Sequence, residues 1–224
     1  DSNQSIYGSS MSWSKVSEEL NFQGRARILR RNYRTTREIW DAISQFAPTE
    51  SGADKETLDL ETVYGGPFPS LVFHADEDDR IQGLNEFLHV ALREERLAPS
   101  CAAVLCFSRV EADRIAQSLS SEFNARAMNS RETDLTHKGV KVLTMHAAKG
   151  LQFPVVAVVG VDKGRFPKPV PIGMDEDEHE ARARRLLFVA CSRAMRRLAV
   201  FHTEGKPSPL LESATDEHWD VVPA

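Results

Sequence analysis

Apolar, β-branched runs alternate along the chain with stretches whose apolar residues recur every three or four positions. The runs predict strands over 26–29, 70–74, 102–107, 140–145, 155–161 and 198–202, and the helical spacing predicts helices over 36–46, 79–93, 110–123 and 180–193. Several strand runs are continuously apolar rather than alternating, the pattern of strands covered on both faces. Strands of that kind in alternation with helices predict an α/β fold on a parallel sheet. Residues 48–69 are polar, acidic and rich in Gly and Pro, which predicts a loop or insertion. Residues 164–177, with Pro167, Pro169 and Pro171, predict a second. The last dozen residues lack a period and are expected to fray.

Composition narrows the class. The 224 residues are 41% hydrophobic, enough for one real core, and 27% charged, as in an ordinary soluble domain. The longest apolar run, 155–161, is far too short to cross a bilayer, and no charged-then-apolar leader opens the chain, so no membrane contact and a cytoplasmic location are expected. Cys101, Cys106 and Cys191 have no CxxC spacing, which argues against a disulfide scaffold or a metal site. A net charge of −5 argues weakly against nucleic acid, but it averages two unlike populations. Six arginines fall between Arg25 and Arg37 and six between Arg182 and Arg197, with no acid in either window, while the acids gather in 50–61, 76–79 and 175–180. Two solvated helix faces with the acidic stretches as solvated loops, and two anion-binding sites, fit that pattern equally well on composition alone.

Three segments carry chemistry. Thr144-Met145-His146-Ala147-Ala148-Lys149-Gly150-Leu151-Gln152-Phe153 joins two predicted strands. Gly150 permits a tight turn, and Lys149 with the backbone amides can face an anion, although the segment taken alone is a polar connection between strands. In 184–194, Leu186, Leu187, Val189 and Ala190 form a helix stripe that ends near Arg193. Arg193 is expected to project out of the domain as an arginine finger toward a phosphate, or else to meet the helix dipole. In Arg31-Asn32-Tyr33-Arg34-Thr35-Thr36 a strand gives way to a helix: Thr35 or Thr36 is a candidate N-cap, Tyr33 offers a stacking face and Arg34 a phosphate fork.

In this order the segments resemble the C-terminal motor half of superfamily 1 DNA helicases of the UvrD/Rep/PcrA type, with 31–36 similar to motif IV, 142–153 to motif V and 184–194 to motif VI. Residues 1–7 are similar to the end of motif III. The resemblance implies a RecA-like parallel sheet with helices on both faces. It divides the chain into a motif III remnant and linker (1–24), a second motor domain (25–206) and a C-terminal tail (207–224). It places Gln4, Arg34 and Arg193 at the γ-phosphate of ATP and Tyr33 on the adenine, with Gly150 and Gln152 also in the nucleotide site. Tyr7, Thr144, His146 and Lys149 are placed on single-stranded DNA. The implied activity is that of an ATP-dependent 3′–5′ DNA helicase or translocase, acting as a monomer with its own N-terminal motor domain.

Departures from the family pattern are specific. Ser9 and Ser10 stand where a Trp-Arg pair is common, Gln152 replaces a Glu, and Ala181, Arg182 and Ala183 replace acids before the motif VI arginines. The spacing from Arg34 to Lys149 leaves no room for the large helical insertion, so a compact relative is implied. No G-x-x-x-x-G-K-[ST] is present, so the fold lacks its own P-loop. ATP and Mg²⁺ would then be held mainly by the N-terminal motor domain, and this chain alone would not hydrolyse ATP. The alternative is a non-catalytic nucleic-acid or protein-binding module on a degenerate helicase fold.

Overall fold

The computed structural model describes residues 31–47, 61–129 and 134–224. In chain order its elements are β1 (Arg31–Thr36), α1 (Arg37–Ser44), β2 (Glu61–Tyr64), β3 (Ser70–His74), α2 (Glu77–Glu94), β4 (Ala102–Cys106), α3 (Arg109–Ser118), β5 (Arg126–Ala127), β6 (Lys141–Thr144), β7 (Phe153–Val158), α4 (Glu176–Cys191), β8 (Ala194–Thr203) and β9 (Asp220–Pro223). Seven strands form one sheet in the order β5-β6-β4-β7-β8-β3-β9, and every neighbouring pair is parallel. β1 and β2 form a separate parallel pair.

The continuous apolar runs follow from burial on both faces. In β4, Ala103 and Leu105 join a core with α1 and α4, while Ala102, Val104 and Cys106 join a second core with α2 and α3. β7 and β8 alternate in the same way: Val156, Val158, Leu198 and Val200 face the first core, and Val155, Ala157, Ala199 and Phe201 face the second. The sheet is thus sandwiched between helices, as the apolar pattern predicted.

The structure corrects three expectations. Residues 61–64 are not loop: Thr62, Val63 and Tyr64 are β-branched or aromatic, and they pair with β1. The acidic stretches at 76–79 and 175–180 are helix beginnings rather than loops. The Asp76 and Asp175 carboxylates accept the amides of Asp79 and Glu178, each at 3.0 Å, and the acids that follow face the positive end of the helix dipole. The last dozen residues do not fray: β9 pairs with β3, and Trp219 is 2% exposed with its ring 5.6 Å from that of Phe46. The predicted strand at 26–29 lies outside the described residues. Thr36 caps α1, accepting from the Ile39 amide at 3.4 Å.

Trp219 thus ties the end of the chain to the turn just past α1. Trp219→Ala should cost about 3–5 kcal/mol of unfolding free energy, the usual range for a buried aromatic. Urea denaturation measures this, and a frayed end would instead give a change near zero.

Candidate functional site

Parallel strands share one direction, so chain segments leaving them sort to two opposite edges of the sheet. β6 and β7 are not neighbours, since β4 lies between them. Residues 145–152 must therefore run back from the carboxyl edge, where β6 ends at Thr144, to the amino edge, where β7 begins at Phe153. They do so without a helix. The Ala147 amide donates to Thr144 Oγ1 at 3.2 Å and the Ala148 amide to the Thr144 carbonyl at 3.1 Å. Met145 and Ala148 are buried in the core, leaving His146 and Lys149 exposed. Gly150, at φ +84°, takes the left-handed turn before exposed Gln152.

At the amino edge stands Arg193, just past the end of α4. Its backbone carbonyl accepts from the Phe153 amide at 2.9 Å. The side chain does not project outward as expected: it is 3% exposed. Nε donates to the Val189 carbonyl at 2.9 Å, Nη1 to the Leu151 carbonyl at 3.3 Å and Nη2 to Ser192 Oγ at 2.9 Å. The physical reason is local, because the last turn of a helix leaves carbonyls without amide partners and a guanidinium can satisfy them. No carboxylate pairs with Arg193 among the described residues. Burial, and then the charge of Arg34, depresses its pKa. Arg34 is exposed on β1, and Tyr33 lies on the same strand. Gln4, Tyr7, Ser9 and Ser10 lie outside the described residues.

At the carboxyl edge His146 meets the Phe107 ring edge-on at 6.3 Å. Phe107 also contacts Phe166 at 5.7 Å, and the Lys168 ammonium lies 4.8 Å from its centroid. The site residues therefore fall into two groups, Arg34, Gly150, Gln152 and Arg193 toward the amino edge and Thr144 and His146 at the carboxyl edge. Lys149 lies on the segment that joins them.

A family comparison matches part of this arrangement. Residues 110–205 match the family model of the UvrD-like helicase C-terminal domain. The matched stretch includes the segment from Thr144 to Phe153 and the end of α4. The chain is homologous to DNA helicase II of Escherichia coli, at 33% identity over 114 residues, which are 50% of this chain and 16% of that protein. It is likewise homologous to the ATP-dependent DNA helicase PcrA of Staphylococcus aureus, at 37% identity over 71 residues, 32% of this chain and 10% of that one. A solved structure, the C-terminal domain of a possible DNA helicase from Lactobacillus plantarum, superposes with a TM-score of 0.60 at 22% identity over 85% of this chain and 98% of that one. The fold is RecA-like, without a P-loop of its own.

The helicase-like motifs did not reveal Phe107, Glu111, Arg165 or Lys168. One signal was available: Ser108-x-x-Glu111 has capping-box spacing. Ser108 makes its half, accepting from the Glu111 amide at 3.3 Å, but the Glu111 carboxylate turns instead to Arg80 and Arg165. The Cys106 thiol, just before this turn, is pushed up to about 12 by burial and then by the Glu111 charge. Burial also raises that of Cys191, and Cys101 is half-buried. Among the described residues no cluster of His, Cys, Asp or Glu could hold a metal, and no helix is long and apolar enough to cross a membrane.

The His146 side chain reaches solvent but is partly desolvated where it packs by Phe107, and that desolvation lowers its pKa below its ordinary 6.5. Burial, followed by the Arg80 charge, lowers that of His74 as well. Below pH 6.5 the unfolded chain therefore binds more protons than the folded one, and stability must fall with pH. Urea midpoints should be lower at about pH 5.5 than at about pH 7.5. His146→Phe should flatten part of that slope, and an unchanged slope would mean that His146 titrates normally.

Proposed function

We propose that this chain is the C-terminal motor domain of an ATP-dependent 3′–5′ DNA helicase or translocase. It would complete an ATP site at its amino edge and grip single-stranded DNA at its carboxyl edge. The observation that carries the reading is Arg193, a buried guanidinium that meets no carboxylate among the described residues, is satisfied by neutral oxygens and is repelled by Arg34. A polyanion fits that pair, because it relieves the repulsion and replaces neutral hydrogen bonds with charge-assisted ones roughly twice as strong. Arg34, Arg193, Gln152 and Gly150, with Tyr33 for the base and Gln4 from the preceding segment, are the groups that would hold ATP. When bound, with Mg²⁺ held mainly by the N-terminal motor domain, ATP supplies the phosphoryl group whose transfer to water drives the cycle.

The chain's own part is positional. Arg193 gives up neutral acceptors, each worth about 1 kcal/mol net, when it turns to an anion. One of these is the Leu151 carbonyl, on the segment that runs across the sheet to His146 and Thr144. Release of that carbonyl loosens the segment at the amino edge while its other end holds DNA. Thr144, His146, Lys149 and Tyr7 are the proposed DNA contacts. His146, whose pKa desolvation lowers, would meet a phosphate or base by hydrogen bonding. The same docked Arg193 also favours the second reading, a nucleic-acid-binding module without a motor, because its donors are satisfied at home.

One experiment separates the two. In the intact protein Arg193→Ala should lower single-strand-stimulated ATP turnover about 10³-fold or more, as loss of an arginine finger does. Arg193→Lys should rescue little, since one ammonium cannot replace a planar fork. Turnover that survives Arg193→Ala would remove the finger role. Lys149→Ala should weaken oligo-dT binding and reduce the slope of log affinity against log salt by about one. An unaltered slope would take Lys149 off the backbone.

A further inference from the structure

Glu111 stands outside both edge groups, yet it joins three separate parts of the chain. It opens α3 and is 5% exposed. Its Oε1 accepts from Arg80 Nη1 of α2 at 3.1 Å and from Arg165 Nη2, beyond β7, at 2.6 Å. Arg80 is 2% exposed and also pairs with Glu77. Arg165 reaches Asp162 at 3.8 Å, and Asp162 accepts from the Thr203 amide, at the end of β8, at 2.6 Å. Gly160 makes room for the cluster: a Cβ there would lie 3.2 Å from Glu111 Oε1. Such a cluster is poor value as stabilisation, because burying charge costs about what the pairing returns. Among the described residues Glu111 Oε2 and Arg80 Nε have no hydrogen-bond partner.

What the cluster fixes is position. Arg165 immediately precedes Phe166, which is buried against Phe107, and two residues later Lys168 lies over the same Phe107 ring, whose edge meets His146. From the opposite face of the sheet, His179 of α4 donates through Nε2 to the Lys168 carbonyl at 2.8 Å. The segment is therefore pinned from both helix layers, by Glu111 on one side and His179 on the other. We infer that Glu111, acting through Arg165, is the positioning residue that holds the Phe107, Lys168 and His146 face in register for single-stranded nucleic acid. An aromatic face beside a cation and an imidazole suits a stacked base followed by a phosphate, and contacts of that kind tolerate little displacement. This inference rests on the reading of the carboxyl edge as the strand-gripping one.

The variant of choice is Arg165→Gln, because Arg165 is 45% exposed while loss of Glu111 would strand Arg80 as a buried, unpaired cation. In the intact protein Arg165→Gln should weaken binding of fluorescein-labelled oligo-dT on the order of tenfold, the worth of a displaced stacking contact. It should also move the His146 ring-proton resonance as the Phe107 ring shifts, and Arg165→Lys should restore both. Unchanged affinity for Arg165→Gln, while His146→Ala and Lys149→Ala weaken binding, would overturn the positioning role and leave the edge reading standing. A loss of affinity with a stationary His146 resonance would also overturn it, since Arg165 would then meet phosphate directly. If His146→Ala and Lys149→Ala bind as tightly as the parent, the edge reading itself fails, and the role of Glu111 with it.

Discussion

Strands that all run one way, buried on both faces, leave no short connection between them. After each strand the chain must travel the length of the sheet before the next can start. α2, α3 and α4 make three of those journeys as helices with an apolar face to bury. The journey from β6 to β7 is made instead by eight residues with no helix of their own, seated on buried Met145 and Ala148. That unhelical return is what puts His146 at one edge, Gln152 at the other and a single covalent path between them. α4 spans the same distance in the same sense, with His179 on the Lys168 carbonyl near its start and Arg193 just past its end. Two elements thus link the edges, and the Arg193 to Leu151 hydrogen bond joins them to each other.

Buried charge is handled in two ways in this molecule. Arg193 and Lys141 are cations satisfied by neutral oxygens. The Lys141 ammonium donates to the carbonyls of Ser100 at 2.8 Å and His137 at 2.9 Å, and burial lowers its pKa. Arg80 instead faces carboxylates. The difference matters for exchange. A guanidinium on carbonyls loses little when a better anion arrives, whereas one locked to a buried carboxylate has no reason to leave. Lys141 is neutral-bonded too, but it is walled in at the start of β6 and has nowhere to turn. Arg193, at the end of a helix and beside another cation, has somewhere to go.

Much of this was legible in the chain. Burial on both faces writes itself as continuous apolar runs, so β3, β4, β6, β7 and β8 stood close to their predicted places. Thr144, His146 and Arg193 were singled out by motif order rather than by periodicity, and they stand at the ends of β6 and α4. What escaped did so for identifiable reasons. Acidic runs carry no period, so 76–79 and 175–180 did not show that they open helices. β9 is four residues long and depends on pairing with β3, a partner some 150 positions earlier. Glu111 and Arg165 lie 54 positions apart, and no local pattern announces a pairing made only when β4 and β7 come side by side. The inward fold of Arg193 escaped because a one-dimensional pattern names the donor but not the carbonyls that await it.

The three cysteines differ in a way that has a practical consequence. Cys106 and Cys191 are buried with raised thiol pKa values, so the reactive thiolate is scarce at both. Cys101 alone is half-open, and it sits just before β4, on the same edge of the sheet as Arg193. Of these three cysteines Cys101 is therefore the chemically distinct attachment point. A maleimide dye placed there turns the approach of a second domain to that edge into an optical distance signal.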